Sequence, residues 1–393
     1  MTDKLQRNRI ARFAALSLAC AMLAVPAATA QTFKELYAFT GGLDGGGPWG
    51  TPLLNGGILY EPTFHGGSAA ADYAGTVSVF ITNASLGTYL YDFQGQPNDG
   101  SAPMGGLVTD GFGDFFGTTT QGGFSLGGTI YEITGDTESV LYNFTERGGK
   151  DPEGGLIIDA AGNLYGTTSS GGTNGSGTVF AFSAFDSFVQ LYSFGNDKYD
   201  GIGPASSLVS QKGVLYGVTT EGGEYGWGTI FAVDIKTKLE TVLYSFHGKK
   251  DGGTPVGGLV SDGQGNLYGT TSTGGSPKGH KGNGVIFMLN IKSKQCTVVH
   301  TFTGPDGSQP LAGLATDGQG NFYGTTYIGG AKGYGTVFEL NSAGTLTTLY
   351  SFTDGTDGAY PYGGVTLDSS GNIYGAATQG GEYGQGTLFE ILP

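Results

Sequence analysis

The sequence has few of the residues that build disulfides, metal sites and charged surfaces. Its 393 residues include two cysteines and four histidines, and only 13% of them are charged. A scaffold held by disulfides and a histidine-rich metal centre are therefore excluded as organising features. Periodicity typical of long helices is also missing. Aromatic residues, by contrast, make up 12% of the chain, and 77 residues are Gly, which indicates short strands joined by tight turns rather than disorder.

The first 30 residues have the pattern of an export signal rather than of a folded segment. A start with four basic residues is followed by an apolar run, and residues 28–30 form an A-x-A cleavage site. Gln31 would then begin a mature protein whose formal net charge is about three units more negative than −15. A lipoprotein signal through Cys20 is a weaker alternative. A chain this acidic is expected to repel nucleic acid and anionic membranes.

A strand with the pattern Tyr-x-Phe recurs along the rest of the chain. Its seven copies are Tyr37–Phe39, Tyr91–Phe93, Tyr142–Phe144, Tyr192–Phe194, Tyr244–Phe246, His300–Phe302 and Tyr350–Phe352. A period near 50 residues with four short strands per unit is typical of a β-propeller. The sequence therefore predicts an all-β fold, in which residues 31–393 form one seven-bladed propeller of four-stranded antiparallel blades.

The order of strands predicts how this ring closes. We call the four strands of a unit A (GLxxD), B (NLYGTT), C (GTVFEL) and D (LYxF) in chain order, with an Asp-Gly turn such as Asp262–Asn266 joining A to B. The repeats begin with a lone D-type strand at Phe33–Phe39 and finish with a C-type strand at Gly386–Leu392. If the first strand is the outer strand of the last blade, no blade keeps an unpaired edge.

The repeats resemble the GloVer tandem-repeat family of exported bacterial proteins. The motif that carries the resemblance is GLxxDxxGNLYGTTxxGGxxGxGTVFEL, which is clearest at Gly313–Leu340 and Gly155–Phe182. Membership implies an exported repeat propeller and no particular activity. Because neither a sorting signal nor a hydrophobic tail follows the last strand, we expect a secreted or periplasmic protein, and a monomer.

Function is expected on the face where the D–A and B–C loops surround the central channel. Each D–A loop carries an Asp, and these are Asp44, Asp99, Asp151, Asp200, Asp251, Asp306 and Asp357. A ring of carboxylates could bind Ca²⁺, but Asp-Gly turns account for the repeat and no calcium-loop spacing occurs. We therefore predict no metal site and no cofactor.

The B–C loops hold a Gly-Gly pair that follows a variable residue. The seven variable residues are His65, Gln121, Ser170, Glu221, Thr273, Ile328 and Gln379. A ring that reads a ligand and an unconstrained exposed position explain this variation equally well.

Aromatic residues on the same face favour a glycan ligand. Trp49 lies in a D–A loop, and Trp227, Tyr225 and Tyr383 lie in B–C loops. Exposed rings suit the apolar faces of sugars, so these four are predicted to bind ligand. Packing against the neighbouring blade is the competing interpretation for rings of this kind.

Blade five collects six basic or titratable side chains on this face. They are His247, Lys249, Lys250, Lys278, His280 and Lys281. Lys249 and Lys278 are predicted to bind ligand, since such a sector could orient an anionic polymer such as a uronate. A solvated patch that offsets local acidity is the alternative.

Two functions from different classes remain open at this level. The first is an exported module that binds glycans or a surface protein, because the repeated positions are structural and no catalytic set is visible. The second is a lyase or glycosidase whose acid–base residues come from Glu61, His65, Glu221 and His280. Glu61 stands where six blades have Gly, which favours it as a candidate, although drift in a terminal blade explains it too.

Overall fold

The computed structural model describes residues 31–393 apart from 69–73, 83–85, 184, 186 and 277–281. Antiparallel strands form seven main sheets, each made of A, B, C and D strands in that spatial order. The predicted seven-bladed propeller is therefore confirmed. Among the described residues, no helix is long and apolar enough to cross a membrane.

The strands follow the chain blade by blade. The chain opens with β1 (Thr32–Ala38). Blade 1 contains β2 (Gly46–Pro48), β3 (Leu53–Asn55), β4 (Ile58–His65), β5 (Thr76–Ile81) and β6 (Leu86–Asp92). Blade 2 contains β7 (Gly100–Ser101), β8 (Val108–Thr109), β9 (Asp114–Thr119), β10 (Gln121–Gly122), β11 (Thr129–Thr134) and β12 (Thr137–Asn143). Blade 3 contains β13 (Ile157–Ile158), β14 (Leu164–Thr168), β15 (Thr178–Ser183) and β16 (Ser187–Ser193).

The remaining blades repeat this arrangement. Blade 4 contains β17 (Gly201–Ile202), β18 (Val209–Gln211), β19 (Val214–Thr219), β20 (Glu221–Gly222), β21 (Thr229–Asp234) and β22 (Glu240–Ser245). Blade 5 contains β23 (Val260–Ser261), β24 (Asn266–Thr271), β25 (Val285–Asn290) and β26 (Gln295–Thr301). Blade 6 contains β27 (Ala315–Thr316), β28 (Phe322–Thr326), β29 (Thr336–Leu340) and β30 (Leu346–Ser351). Blade 7 contains β31 (Val365–Leu367), β32 (Ile373–Ala377) and β33 (Thr387–Leu392), and it takes β1 as its outer strand.

The two ends of the propeller meet in blade 7, as the strand order predicts. Strand β1 pairs antiparallel with β33 from Thr32 opposite Leu392 to Ala38 opposite Thr387. The ring of Phe33 also stacks at 3.9 Å on Tyr350 of blade 6. The first strand is thus tied to two blades, and the ring closes with an A, a B, a C and a D strand in every blade.

A Gly on strand B makes room for an aromatic ring on strand C within each typical blade. In blade 3, Gly166 pairs with Phe180, and a Cβ at position 166 would lie 2.6 Å from Phe180 Cζ. The same Gly–aromatic pair occurs in blades 2 to 7, with Tyr131 as the aromatic residue in blade 2. Blade 1 instead pairs Glu61 on strand B with Ser78 on strand C, so the larger residue is on strand B.

A proline at the end of each D–A loop connects neighbouring blades. Its Cδ packs where a Cβ would stand on the Gly that opens strand C of the preceding blade. The seven pairs are Gly75 with Pro103, Gly128 with Pro152, Gly177 with Pro204, Gly228 with Pro255, Gly284 with Pro310, Gly335 with Pro361 and Gly386 with Pro48. Because the last pair joins blade 7 to blade 1, this contact runs around the whole ring.

The Asp of the D–A loop fastens the loop to the preceding D strand. In blade 7 the loop carboxylate Asp357 accepts a hydrogen bond from the Tyr350 hydroxyl at 3.0 Å and another from the Thr353 amide at 2.8 Å. The equivalent tyrosine–aspartate bonds measure 2.9–3.0 Å at Asp44, Asp99, Asp200 and Asp251. At Asp306 the partner is His300, at 2.8 Å. These bonds explain both the Tyr of Tyr-x-Phe and the repeated Asp.

Asp151 lies in the D–A loop of blade 3, as predicted, but not at the Asp-Gly position that the other six occupy. The Asp-Gly position of its loop is occupied by Gly148 and Gly149, and Asp151 directly precedes Pro152. Its carboxylate accepts a hydrogen bond from Ser170 Oγ at 2.6 Å instead of one from a tyrosine. Gly148 and Gly149 therefore supply the turn in blade 3.

Candidate functional site

The D–A and B–C loops lie on one face, where they pair with each other in every blade. The paired residues are Gly46 with His65, Ser101 with Gln121, Lys150 with Ser170, Ile202 with Glu221, Gly253 with Thr273, Ser308 with Ile328, and Ala359 with Gln379. The second member of each pair is the variable residue identified in the sequence. These seven residues are thus fixed by backbone pairing at equivalent places on the loop face.

The centre of this face holds a small cavity at the mouth of the channel. Its volume is about 90 Å³, and it is lined by the three residues that follow the D–A proline in each of the seven blades. The second of these is small because successive blades touch there: a Cβ on Gly257 would lie 2.2 Å from the carbonyl oxygen of Ala312. Backbone and small side chains therefore close the floor, and the larger side chains come from the residue directly after the proline.

Seven different side chains surround the mouth of the cavity. They are Trp49, Met104, Glu153, Ala205, Val256, Leu311 and Tyr362. Among the described residues that line the cavity, Glu153 is the only charged one. The site is consequently asymmetric although the fold that builds it is nearly sevenfold.

Aromatic rings from blades 1, 6 and 7 form one side of the mouth. The rings of Trp49 and Tyr362 lie 4.6 Å apart between centroids, and Phe64 stacks on Trp49 at 4.9 Å. Tyr327 meets Tyr362 edge-on at 6.3 Å. Both Trp49 and Tyr362 remain partly exposed, so they present a supported apolar surface to the cavity.

Blade 3 contributes the carboxylate of Glu153 on another side, with Ser169 next to it. Ser169 Oγ lies 2.9 Å from Glu153 Oε1 and 3.0 Å from the Asp151 carbonyl oxygen. Burial raises the pKa of Glu153, the hydrogen bond from Ser169 opposes that rise, and the charge of Asp151 adds to it. Burial also raises the pKa of Tyr362, and the negative charge of Glu153 raises it further. The Glu153 carboxylate and the rings of Trp49 and Tyr362 therefore line the same cavity.

The four predicted aromatic ligands occupy different environments. Trp49 lines the cavity, whereas Trp227 packs between blades 4 and 5, where it covers the position of a Cβ on Gly248. Tyr225 is 45% exposed and stacks on His247 at 4.1 Å, and Tyr383 is 53% exposed on the rim of blade 7. The structure thus brings only one of the four to the central cavity.

The basic sector of blade five is described only in part. Lys249 is exposed in the D–A loop, and neither it nor Lys250 lines the cavity. His247 Nδ1 lies 2.8 Å from Asp251 Oδ2, so this basic sector also contains a carboxylate. Lys278, His280 and Lys281 lie outside the described residues. Whether Lys249 and Lys278 bind a ligand stays a prediction.

The predicted acid–base residues are not assembled into one set. Both carboxyl oxygens of Glu61 are buried without a hydrogen-bond partner among the described residues, and burial raises its pKa well above the usual range of a Glu. The backbone of Gly50 lies near this carboxyl and partly opposes the rise in its pKa. His65 Nε2 lies 2.8 Å from Gln385 Oε1, and Glu221 is exposed in β20. His280 lies outside the described residues.

Glu153 was not singled out in the sequence, and Tyr362 is not among the predicted ligand-binding residues. Their position, directly after a proline and before two small residues, varies from Trp to Ala and therefore carries no repeated signal. The Pro-x-small-small pattern itself recurs in all seven units and could have located the cavity. A position that varies in type between a constant Pro and constant small residues is the signal that was available.

Comparison with protein families agrees with the repeat. The family model described as the Gloeobacter/Verrucomicrobia repeat matches residues 124–279 and 213–393. The chain belongs to this family. The resemblance inferred from the motif is therefore confirmed, and the matches show the Gloeobacter/Verrucomicrobia repeat to be a unit of this propeller. No curated protein matches the sequence.

Solved structures share the architecture of this Gloeobacter/Verrucomicrobia repeat protein at low sequence identity. Oligogalacturonate lyase from Vibrio parahaemolyticus has a TM-score of 0.57 at 10% identity, over 92% of this chain and 97% of its own. The GH74 enzyme of Niastella koreensis has a TM-score of 0.56 at 15% identity, over 91% of this chain and 53% of its own. An oligogalacturonate lyase in complex with manganese has a TM-score of 0.54 at 11% identity, over 86% of each chain. These similarities concern the fold.

Proposed function

We propose that this protein is an exported binding module that holds a glycan across the mouth of its central cavity. The observation that carries the proposal is the pair Trp49 and Tyr362, two partly exposed rings from blades 1 and 7 that line the cavity. Aromatic rings pack on the apolar faces of sugars, and the polar groups of blade 3 offer partners for hydroxyls.

The size of the cavity supports binding across its mouth rather than enclosure. A volume of about 90 Å³ is well below the several hundred Å³ of pockets that bury a small-molecule ligand. A sugar ring would rest on Trp49 and Tyr362, with neighbouring units of an oligosaccharide lying over the D–A loops. This arrangement suits a polymer better than a free monosaccharide.

A glycan array followed by calorimetric titration of the hits tests the proposal. Trp49→Ala should weaken binding at least about tenfold, which corresponds to roughly 1.4 kcal/mol. Phe124→Ala is the matched control, because Phe124 is 81% exposed in a B–C loop and does not line the cavity. Circular dichroism of both variants checks folding. Binding of no glycan, or equal loss in both variants, would overturn the proposal and favour a protein partner.

Glycan cleavage is the second candidate, and Glu153 is the observation that favours it. A carboxyl whose pKa is raised by burial beside a binding surface can serve as a general acid. Glycans that bind should then be incubated with the protein and examined for new reducing ends or unsaturated products. Cleavage that is lost in Glu153→Gln while binding persists would establish this activity. If the glycans remain intact, binding alone is the function that stands.

A further inference from the structure

We propose that the central cavity selects amino sugars with a free ammonium group over neutral and anionic sugars. This inference rests on the proposed glycan-binding function and names the substrate class of the same site. Three features carry it: the charge at the mouth, the geometry of the carboxylate and the aromatic side.

The charge at the mouth is negative. Glu153 is the only charged residue among the described residues that line the cavity, and Asp151 lies two residues before it in the same loop. Neither Lys249 nor any other described Lys or Arg reaches the lining. An anionic sugar would be repelled here, whereas a cation would be attracted. The anionic ligand suggested by the basic residues of blade five therefore does not suit the central cavity.

The Glu153 carboxylate is held in place and retains free acceptor capacity. Ser169 Oγ lies 2.9 Å from Oε1, and no other hydrogen bond to this carboxylate is formed by the described residues. A carboxylate that is fixed by one donor and partly removed from water can accept a further hydrogen bond from an ammonium group at little ordering cost. Partial burial also strengthens its attraction for a cation.

The aromatic side supplies a second attraction for a cation. An ammonium group over the face of Trp or Tyr is favoured by roughly 0.5–2 kcal/mol. The Trp49 and Tyr362 rings lie 4.6 Å apart and share the cavity with Glu153. An amino group attached to a sugar ring could therefore contact the carboxylate while the ring itself rests on the aromatic surface.

An independent polar group at the cavity is still unpartnered. Ser206 lines the cavity and is 5% exposed, yet its Oγ has no hydrogen-bond partner among the described residues. A buried hydroxyl without a partner is costly, and a ligand hydroxyl or a bridging water would remove that cost. Ser206 thus indicates that the cavity is completed by a polar ligand rather than by an apolar one.

Calorimetric titration with three oligosaccharides of equal length tests the inference. The probes are β-1,4-linked glucosamine tetramer, its fully N-acetylated form and tetragalacturonate, at one pH below that at which the amine loses its proton. The free amine should bind at least about tenfold more tightly than the acetylated form, and tetragalacturonate should bind weakest. Equal affinity for the amine and its acetylated form would overturn the inference and leave glycan binding intact. Binding of none of the three, nor of any array glycan, would overturn the proposed function itself.

Variants then locate the source of the selectivity. Glu153→Gln should bring the amine within about twofold of the acetylated form, while Glu153→Asp should keep part of the preference. Glu221→Gln is the matched control, because this exposed carboxylate lies on the same face outside the cavity. Thermal unfolding of each variant verifies that the fold is unchanged. Selectivity that survives Glu153→Gln would contradict the assignment.

Discussion

Blades 1 and 3 each contain one carboxylate that the other blades lack, and the two have different fates. Glu61 in blade 1 is fully buried, and neither of its oxygens has a partner among the described residues. Glu153 in blade 3 stands at the open cavity with Ser169 as a donor. Burial raises the pKa of both. A raised pKa therefore reports burial, while access and partners separate a candidate site from a core substitution.

The exchange of two residues explains how blade 1 accommodates Glu61. In blades 2 to 7 the strand C aromatic fills the space above a strand B Gly, whereas blade 1 has Ser78 opposite Glu61. The small residue and the large one have changed places, so total side-chain volume is roughly kept. The cost of the exchange lies in the Glu61 carboxyl, which the apolar core does not solvate.

Transferring this exchange to blade 3 should give the largest effect. Gly166→Glu alone places a Cβ 2.6 Å from Phe180 Cζ, and we expect it to destabilise the fold by about 4 kcal/mol or more. Phe180→Ser alone should cost about 3–5 kcal/mol through the cavity it leaves. The double variant should cost clearly less than both together, as a urea-denaturation cycle would show. Additive values would contradict the exchange.

Removing the buried carboxyl of blade 1 should have a smaller effect of opposite sign. Glu61→Met keeps an unbranched side chain and removes two unpaired polar atoms, so we expect stabilisation by roughly 1–3 kcal/mol at neutral pH. In the native protein Glu61 keeps its proton at pH values at which the unfolded chain has lost it. Native stability should therefore fall by about 1.4 kcal/mol per pH unit above the normal pKa of a Glu because of this group.

Denaturation of wild type and Glu61→Met at pH 5 and pH 8 measures this contribution. The gain from Glu61→Met should be larger at pH 8. Glu153→Gln is the control and should change stability by less than about 0.5 kcal/mol, since Glu153 is partly exposed. A gain from Glu61→Met that does not grow with pH would show that the carboxyl is solvated.

Glu138 and Glu240 are intermediate cases with the smallest expected effect. Burial, followed by the charge of Asp99, raises the pKa of Glu138 to about 8, and burial, followed by the charge of Asp200, raises the pKa of Glu240 to about 8. Both are partly exposed, so solvent screening reduces each contribution to on the order of 1 kcal/mol. Stability conferred by their protons is present at pH 4 and lost as the pH rises through about 8. Glu138→Gln and Glu240→Gln should each raise the thermal midpoint at pH 9 and not at pH 4.

The sequence predicts the fold well because the fold depends on repeated contacts. Each Tyr-x-Phe strand contributes the same buried Phe, and five of the seven form the same Tyr–Asp bond, so the period survives drift elsewhere. The closing strand was predictable because a D-type strand at one end and a C-type strand at the other complement each other. Within the repeat, blade 3 shows the limit: its D–A loop contains Asp151, but the loop makes the turn with Gly148 and Gly149.

The candidate site was harder to predict because it depends on differences between repeats. Trp49 was selected for its residue type, but Glu153 and Tyr362 lie far apart in sequence at a position with no common chemistry. They reach the same cavity only because the blades close into a propeller. Trp227 shows the reverse error, since an aromatic residue in a loop of the right face packs on Gly248 between blades instead of lining the cavity.

The pairing of β1 with β33 has a consequence for how the chain acquires its structure. Contacts such as Lys34 with Glu390 join residues 356 positions apart. Strand β1 therefore cannot pair until β33 has been synthesised. Until then blade 7 lacks its outer strand and the ring is not closed, and neighbouring molecules could exchange their first strands. We therefore expect the protein to refold slowly and to form dimers at high concentration.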